Sequence, residues 1–139
     1  LQARADASID ALVLIDVLEH VPRADIFALL NEPRRALVPG GRIIAQMPNV
    51  SGLFGTTTFF SDPTHVTAFN ELSAVKVFQA SGFERVDCFE LALPEGWLER
   101  ICTVVRTPIF AGTRLLMRVV GAPAVKVLTH NLVVAAYRT

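Results

Sequence analysis

Apolar positions open the chain as a nearly unbroken run, Ile9-Asp10-Ala11-Leu12-Val13-Leu14-Ile15, ended by Asp16. Such a run suits a strand buried on both faces of a parallel sheet better than one alternating between core and water. It is therefore read as an interior strand. Ile26, Phe27, Leu29, Leu30 and Leu37 then recur at helical spacing, predicting a helix over about 24–37 that Pro39-Gly40-Gly41 stops. Pro33 cannot donate to the carbonyl of Leu29, so a kink is expected there. Arg42–Met47 reads as a second strand closed by Pro48-Asn49, giving a right-handed strand, helix, strand crossover.

Residues 50–69 carry Gly52, Gly55, Thr56-Thr57-Thr58 and Asp62-Pro63, a long connection of the kind that forms lids. Asn70 offers a helix cap, Leu72, Val75 and Phe78 line one face, and Gly82 ends the helix before a strand at 83–91. From Trp97 to about Leu128 the pattern is helical, with breaks expected at Pro108, Gly112, Gly121 and Pro123, and Leu132–Tyr137 reads as a closing strand.

Composition narrows the class. With 139 residues, 52% hydrophobic and 19% charged, the chain is at most one packed domain, short for a complete two-faced α/β enzyme, and disorder is excluded. Thirteen basic and thirteen acidic residues cancel, which removes the electrostatic case for nucleic acid. The cancellation hides an asymmetry, because residues 1–96 hold 12 acidic and 7 basic groups and residues 97–139 hold one acidic and six basic. Cys88 and Cys102 lack metal-type spacing and no secretory segment opens the sequence, so free buried thiols and a cytoplasmic setting are expected. Arginines punctuate the apolar tail too often for the ~18 uninterrupted apolar residues of a spanning helix.

The order of Asp16-Val17-Leu18-Glu19-His20-Val21 after a strand, then a helix, Leu37-Val38-Pro39-Gly40-Gly41-Arg42, a strand and Pro48-Asn49 resembles the second half of class I S-adenosylmethionine-dependent methyltransferases. Asp62-Pro63-Thr64-His65 and Gly82-Phe83 make it most similar to the ubiquinone-type and polysaccharide-pathway enzymes of that class. The resemblance covers about residues 9–91, with Asn131–Arg138 as a further match. It implies an α/β fold, the C-terminal half of a doubly wound Rossmann-like sheet, whose last strand is antiparallel and preceded by a helical insertion at about 97–128. In the family an earlier strand leads into a Gly-x-Gly-x-Gly cofactor turn; no Gly-x-Gly occurs here. The expectation is a truncated domain, inactive alone, with completion by a partner chain as a second reading.

Methyl transfer is an in-line displacement that needs alignment, exclusion of water and removal of the acceptor's proton. Asp16, Val17, Leu18 and Glu19 are the candidate S-adenosylmethionine contacts: Asp16 near the cationic donor, Val17 and Leu18 against its adenine or methionyl part. His20, oriented by Glu19, is the candidate base, since histidine ordinarily changes charge near neutrality. His65 and Asp62 form the second catalytic candidate on the lid-like loop, and the alternative there is a loop held shut by an Asp–Thr hydrogen bond. His130 is read as structural. In some relatives a stretch resembling Asp16, Glu19 and His20 binds a divalent metal with a later histidine corresponding to His65; many polysaccharide-type relatives use none, and no metal is assigned.

The expected activity is methylation of a small-molecule or glycan acceptor. The rival is a non-catalytic methyltransferase-like module that binds a partner or membrane surface through residues 97–128. In those residues Trp97, Ile101, Val105 and Leu116 interleave with Arg100, Arg106, Arg114 and Arg118. Peripheral membrane contact would follow from snorkelling arginines, whereas the plainer reading is a helical cover on the sheet or a homodimer contact.

Overall fold

A computed structural model describes residues 4–92 and 96–139. The elements follow in the order β1 (Ile9–Ile15), α1 (Ile26–Ala36), β2 (Leu37–Pro48), α2 (Gly55–Phe60), α3 (Glu71–Ala80), β3 (Arg85–Glu90), α4 (Trp97–Val119) and β4 (Asn131–Tyr137), with one 3-10 turn at Leu18–His20. The sheet order is β1-β2-β4-β3. β1 and β2 are parallel, and β4 runs antiparallel between β2 and β3. β4 can separate two strands of the same direction because the long α4 excursion carries the chain back before it enters the sheet.

Alternation decides the two faces. Ile43, Ala45 and Met47 of β2, with Leu132, Val134 and Ala136 of β4, are buried against Ile26 and Leu30 of α1 and Ala74 and Phe78 of α3. Register puts Val13 beside Ile44 and Ile15 beside Gln46 on the opposite face, where Val13 and Ile15 are exposed. β1 is thus an edge strand covered on one face, not an interior strand covered on both. Its apolar run has the composition for two-sided burial, but α1 and α3 both pack on the same side.

Local chemistry explains the boundaries. Asn70 caps α3: its side chain accepts the Ser73 amide while the Ser73 hydroxyl accepts the Asn70 amide. Gly82, at φ +85°, ends the same helix, and Phe83 returns to the core. Gly40-Gly41 does not close a turn ahead of β2; it forms an irregularity within it. Pairing jumps from Ile9↔Leu37 to Ala11↔Arg42 there, and the Gly40 amide donates to the carbonyl of Arg138 at 2.7 Å.

α1 continues through the buried Pro33 and ends three residues later. α4 runs unbroken through Pro108 and Gly112, against the expected breaks, and ends before Gly121 at φ +69°. A proline removes one helical donor, and here the freed carbonyl belongs to exposed Val104. Of the two thiols, Cys88 is half-buried and Cys102 is exposed on α4, so the expected pair of buried thiols is corrected for Cys102.

Candidate active site

β1 ends where the strands of an open α/β sheet present their carboxyl ends, the usual place for ligands. Asp16 turns the chain at φ +50°, its amide donates to the carbonyl of Gln46 at 3.1 Å, and Gln46 Nε2 donates to its carboxylate at 3.3 Å. The next residues form the 3-10 turn, whose successive side chains diverge. Leu18 is fully buried in the core, Glu19 is buried at 1% exposure, and His20 is exposed.

The backbone of this turn recruits the distant loop. The carbonyl of Glu19 accepts the amides of Val66 and Thr67 at 2.8 and 3.0 Å, and the Thr67 hydroxyl donates to the carbonyl of Val21 at 2.7 Å. These bonds lay residues 62–67 across residues 18–21.

Hydrogen-bond accounting then fixes the histidine tautomers. The Asp62 carboxylate accepts the Thr64 amide at 2.8 Å and the Thr64 hydroxyl at 2.6 Å, and these bonds hold its pKa below the usual carboxylate range. An ionised carboxylate only accepts, so the single hydroxyl proton of Thr64 is committed to Asp62. His20 Nδ1, 2.9 Å from the same hydroxyl oxygen, must therefore carry a proton and donate it. Nε2 of neutral His20 is left with a free lone pair. His65 Nδ1 lies 2.8 Å from the carbonyl of Phe59 in α2, which also only accepts, so His65 Nε2 has its lone pair free as well.

The two imidazoles meet edge to face, centroids 4.7 Å apart. Beneath them Glu19 has no hydrogen-bond partner for either oxygen. Its Oε1 is 4.0 Å from His65 Nε2, and Asp62 Oδ2 is 3.9 Å from the same nitrogen. Burial pushes the Glu19 pKa up. Acceptor atoms converge here without a donor, an arrangement that calls for a proton or a cation.

One ligand atom each from Glu19, His20 and His65 lies within 4.8 Å of the others. In each histidine the remote ring nitrogen is already engaged, the pattern by which metal-binding imidazoles are oriented. The donor set fits a divalent cation, although the sequence assigned none.

The structure thus brings His20, His65, Asp62 and Glu19 together. Glu19 faces His65 and leaves the orientation of His20 to Thr64, expected only as the partner of Asp62 in holding the loop shut. Of the cofactor candidates, Asp16 is exposed and Val17 half-buried, whereas the side chain of Leu18 belongs to the core. The Asp62–Thr64 bond anticipated as an alternative is present, and it also serves His20. Asn49 is fully buried, donating to the carbonyls of Val127 and Thr129 at 3.1 and 3.0 Å, so it ties β2 to the segment before β4. His130 is exposed, and its carbonyl accepts the Asn49 amide.

A sequence profile of the family described as a methyltransferase domain matches residues 2–45. No curated protein matches the chain. Among solved structures, a SAM dependent methyltransferase from Archaeoglobus fulgidus aligns with TM-score 0.67 and 18% identity over 99% of this chain and 62% of its own. A SAM-dependent methyltransferase from Thermotoga maritima, described as a possible histamine N-methyltransferase, aligns with TM-score 0.65 and 13% identity over 99% of this chain and 59% of its own. The chain therefore has part of a Rossmann-like methyltransferase fold, and it spans about three fifths of those two relatives.

Proposed function

We propose that this chain forms the acceptor side of an S-adenosylmethionine-dependent methyltransferase site acting on a hydroxyl of a small molecule or glycan. The observation that carries this reading is the Asp62–Thr64–His20 hydrogen-bond chain, which leaves His20 Nε2 as an oriented base beside the strand ends. The cofactor, when bound, supplies an electrophilic methyl group on a cationic sulfur. His20 removes the acceptor's proton at Nε2, and Thr64 and Asp62 hold the ring and stabilise the imidazolium. His65, fixed by Phe59, walls the other side and keeps water from Glu19. Exposed Asp16 offers a carboxylate at the strand end toward the cationic donor. The fit to the cofactor is to one wall only, since no Gly-x-Gly turn is present in the sequence.

The test is production of S-adenosylhomocysteine with a panel of hydroxyl acceptors by the chain joined to a segment bearing a Gly-x-Gly-x-Gly turn, comparing it with the same protein carrying His20→Gln. The expected loss is about 10²-fold in kcat with unchanged cofactor affinity; full activity in the variant removes His20 as base. Equilibrium dialysis with labelled S-adenosylmethionine separates this reading from a non-catalytic module, which retains no label.

A second reading draws on the unpartnered Glu19 carboxylate: Glu19, His20 and His65 hold Mg²⁺ or Mn²⁺. The ion would lower the pKa of an acceptor hydroxyl, and His20 would then serve as ligand instead of base.

A further inference from the structure

α4 is packed with its apolar side outward. Within it, only Glu99, Arg106, Phe110, Thr113, Arg114 and Met117 are buried or half-buried, and their spacing puts them on one stripe facing the body. That stripe is held by Phe110 against Val125 and Leu128, and by Arg114 and Arg106, which reach Glu90 at 3.2 and 4.0 Å. The opposite half of the helix carries Trp97, Ile101, Val104, Leu115, Leu116 and Val119, each between 53 and 75% exposed. A surface helix normally buries its apolar stripe and shows its charges to water; here the charged stripe is the docked one.

The same apolar surface continues off the helix. A groove of about 660 Å³ opens along Ile101, Val105 and Ile109 against Leu53, Leu128 and Phe54, and Phe54 is itself 80% exposed. An exposed apolar expanse of this kind marks an interaction site.

Charge identifies the occupant. Arg100 and Arg118 are eighteen residues apart, five full turns, and so stand on one rim of the apolar face. Both are exposed, and among the described residues neither has a carboxylate partner, unlike Arg106 and Arg114. The one acidic residue of α4, Glu99, is on the docked stripe. A second copy packed on this face would bring no carboxylate of its α4 to answer Arg100 and Arg118, since Glu99 is on the docked stripe. An anionic lipid surface answers both features: acyl chains take the apolar face and phosphates take the rim. No helix among the described residues is long and apolar enough to cross a membrane.

We propose that α4 lies in the plane of an anionic bilayer, with Trp97, Val104, Leu115 and Val119 in the acyl boundary and Arg100 and Arg118 at the phosphates. The inference does not depend on the methyl-transfer reading. The experiment is co-sedimentation of the chain with phosphatidylcholine vesicles, with and without phosphatidylglycerol, read alongside the emission of Trp97, the single tryptophan. Binding and a blue shift are expected with phosphatidylglycerol only, weakening with added salt. Arg100→Gln with Arg118→Gln should lower partitioning roughly 25-fold, at about fivefold per arginine, with an unchanged circular dichroism spectrum. The proposal is overturned by equal binding to both vesicles, by no binding to either, or by a lipid-free dimer in which Trp97 is already blue-shifted.

Discussion

The hydroxyl of Thr64 lies 2.9 Å from Nδ1 of His20, across 44 positions of sequence. Because Asp62 claims the hydroxyl's proton, and the Thr64 carbonyl 3.3 Å from the same nitrogen only accepts, Thr64 sets which nitrogen of His20 is free, the hydroxyl being the shorter contact. Nitrogen-15 NMR should show neutral His20 protonated at Nδ1. Thr64→Val should shift the population toward the other tautomer while His65, held by Phe59, stays unchanged. An unaltered His20 spectrum in the variant would sink the relay.

Glu19 makes stability depend on pH in a definite direction. Its carboxyl, ordinarily near 4.5, is raised by burial, so the native state binds that proton more tightly than the unfolded chain. The associated stability is complete below the ordinary value and is lost as pH rises through the raised one. Asp62, lowered from 3.8, acts oppositely, its contribution present above that value and lost as pH falls. Glu19→Gln should therefore raise the melting temperature at neutral pH, by about 1–3 kcal/mol of stability, with the gain shrinking toward pH 4.5. A variant no more stable than the wild type at neutral pH would contradict the unpartnered carboxylate.

The same pair of proteins tests the metal reading. Mn²⁺ should raise the melting temperature of the wild type and give measurable heat in calorimetry, with both effects abolished in Glu19→Gln. Equal effects in the two would place the ion elsewhere.

Two glycines should respond to alanine with opposite signs. A Cβ at Gly55 would sit 1.7 Å from the carbonyl oxygen of Asn49, backbone that cannot yield, whereas one at Gly112 meets nothing within 4 Å. Gly55→Ala should cost more than ~3 kcal/mol in denaturant titration. Gly112→Ala, inside α4, should gain about 1 kcal/mol.

Thiol labelling should distinguish the cysteines. Cys102 is exposed, while burial, with Glu71 and Asp87 nearby, pushes the Cys88 pKa up to about 11. Cys102 should react first and Cys88 only on unfolding; similar rates for both would show that the sheet face bearing Cys88 is open.

Local signals in the chain were enough for the element order except for α2, which lies within the segment 50–69 that reads as one long connection. The apolar run at 9–15, the Asn70 cap with Ser73, the Gly82 stop and the closing strand each depend on neighbours within a few residues, and each stands in the structure. The same signals placed Asp16, Glu19 and His20 after a strand, because a strand's end is written in its own composition. Which side of the sheet is covered was not legible from β1, since an apolar run records suitability for burial and not what arrives to bury it. Nor could spacing show that α4 docks through its arginines, because helical periodicity defines two faces and leaves their partners unspecified. The joining of Glu19 to His65, and of His20 to Thr64, was decided only when the backbone of residue 19 captured the amides of residues 66 and 67. Contacts that span more than forty residues are set by the free energy of the whole fold, and no local preference encodes them.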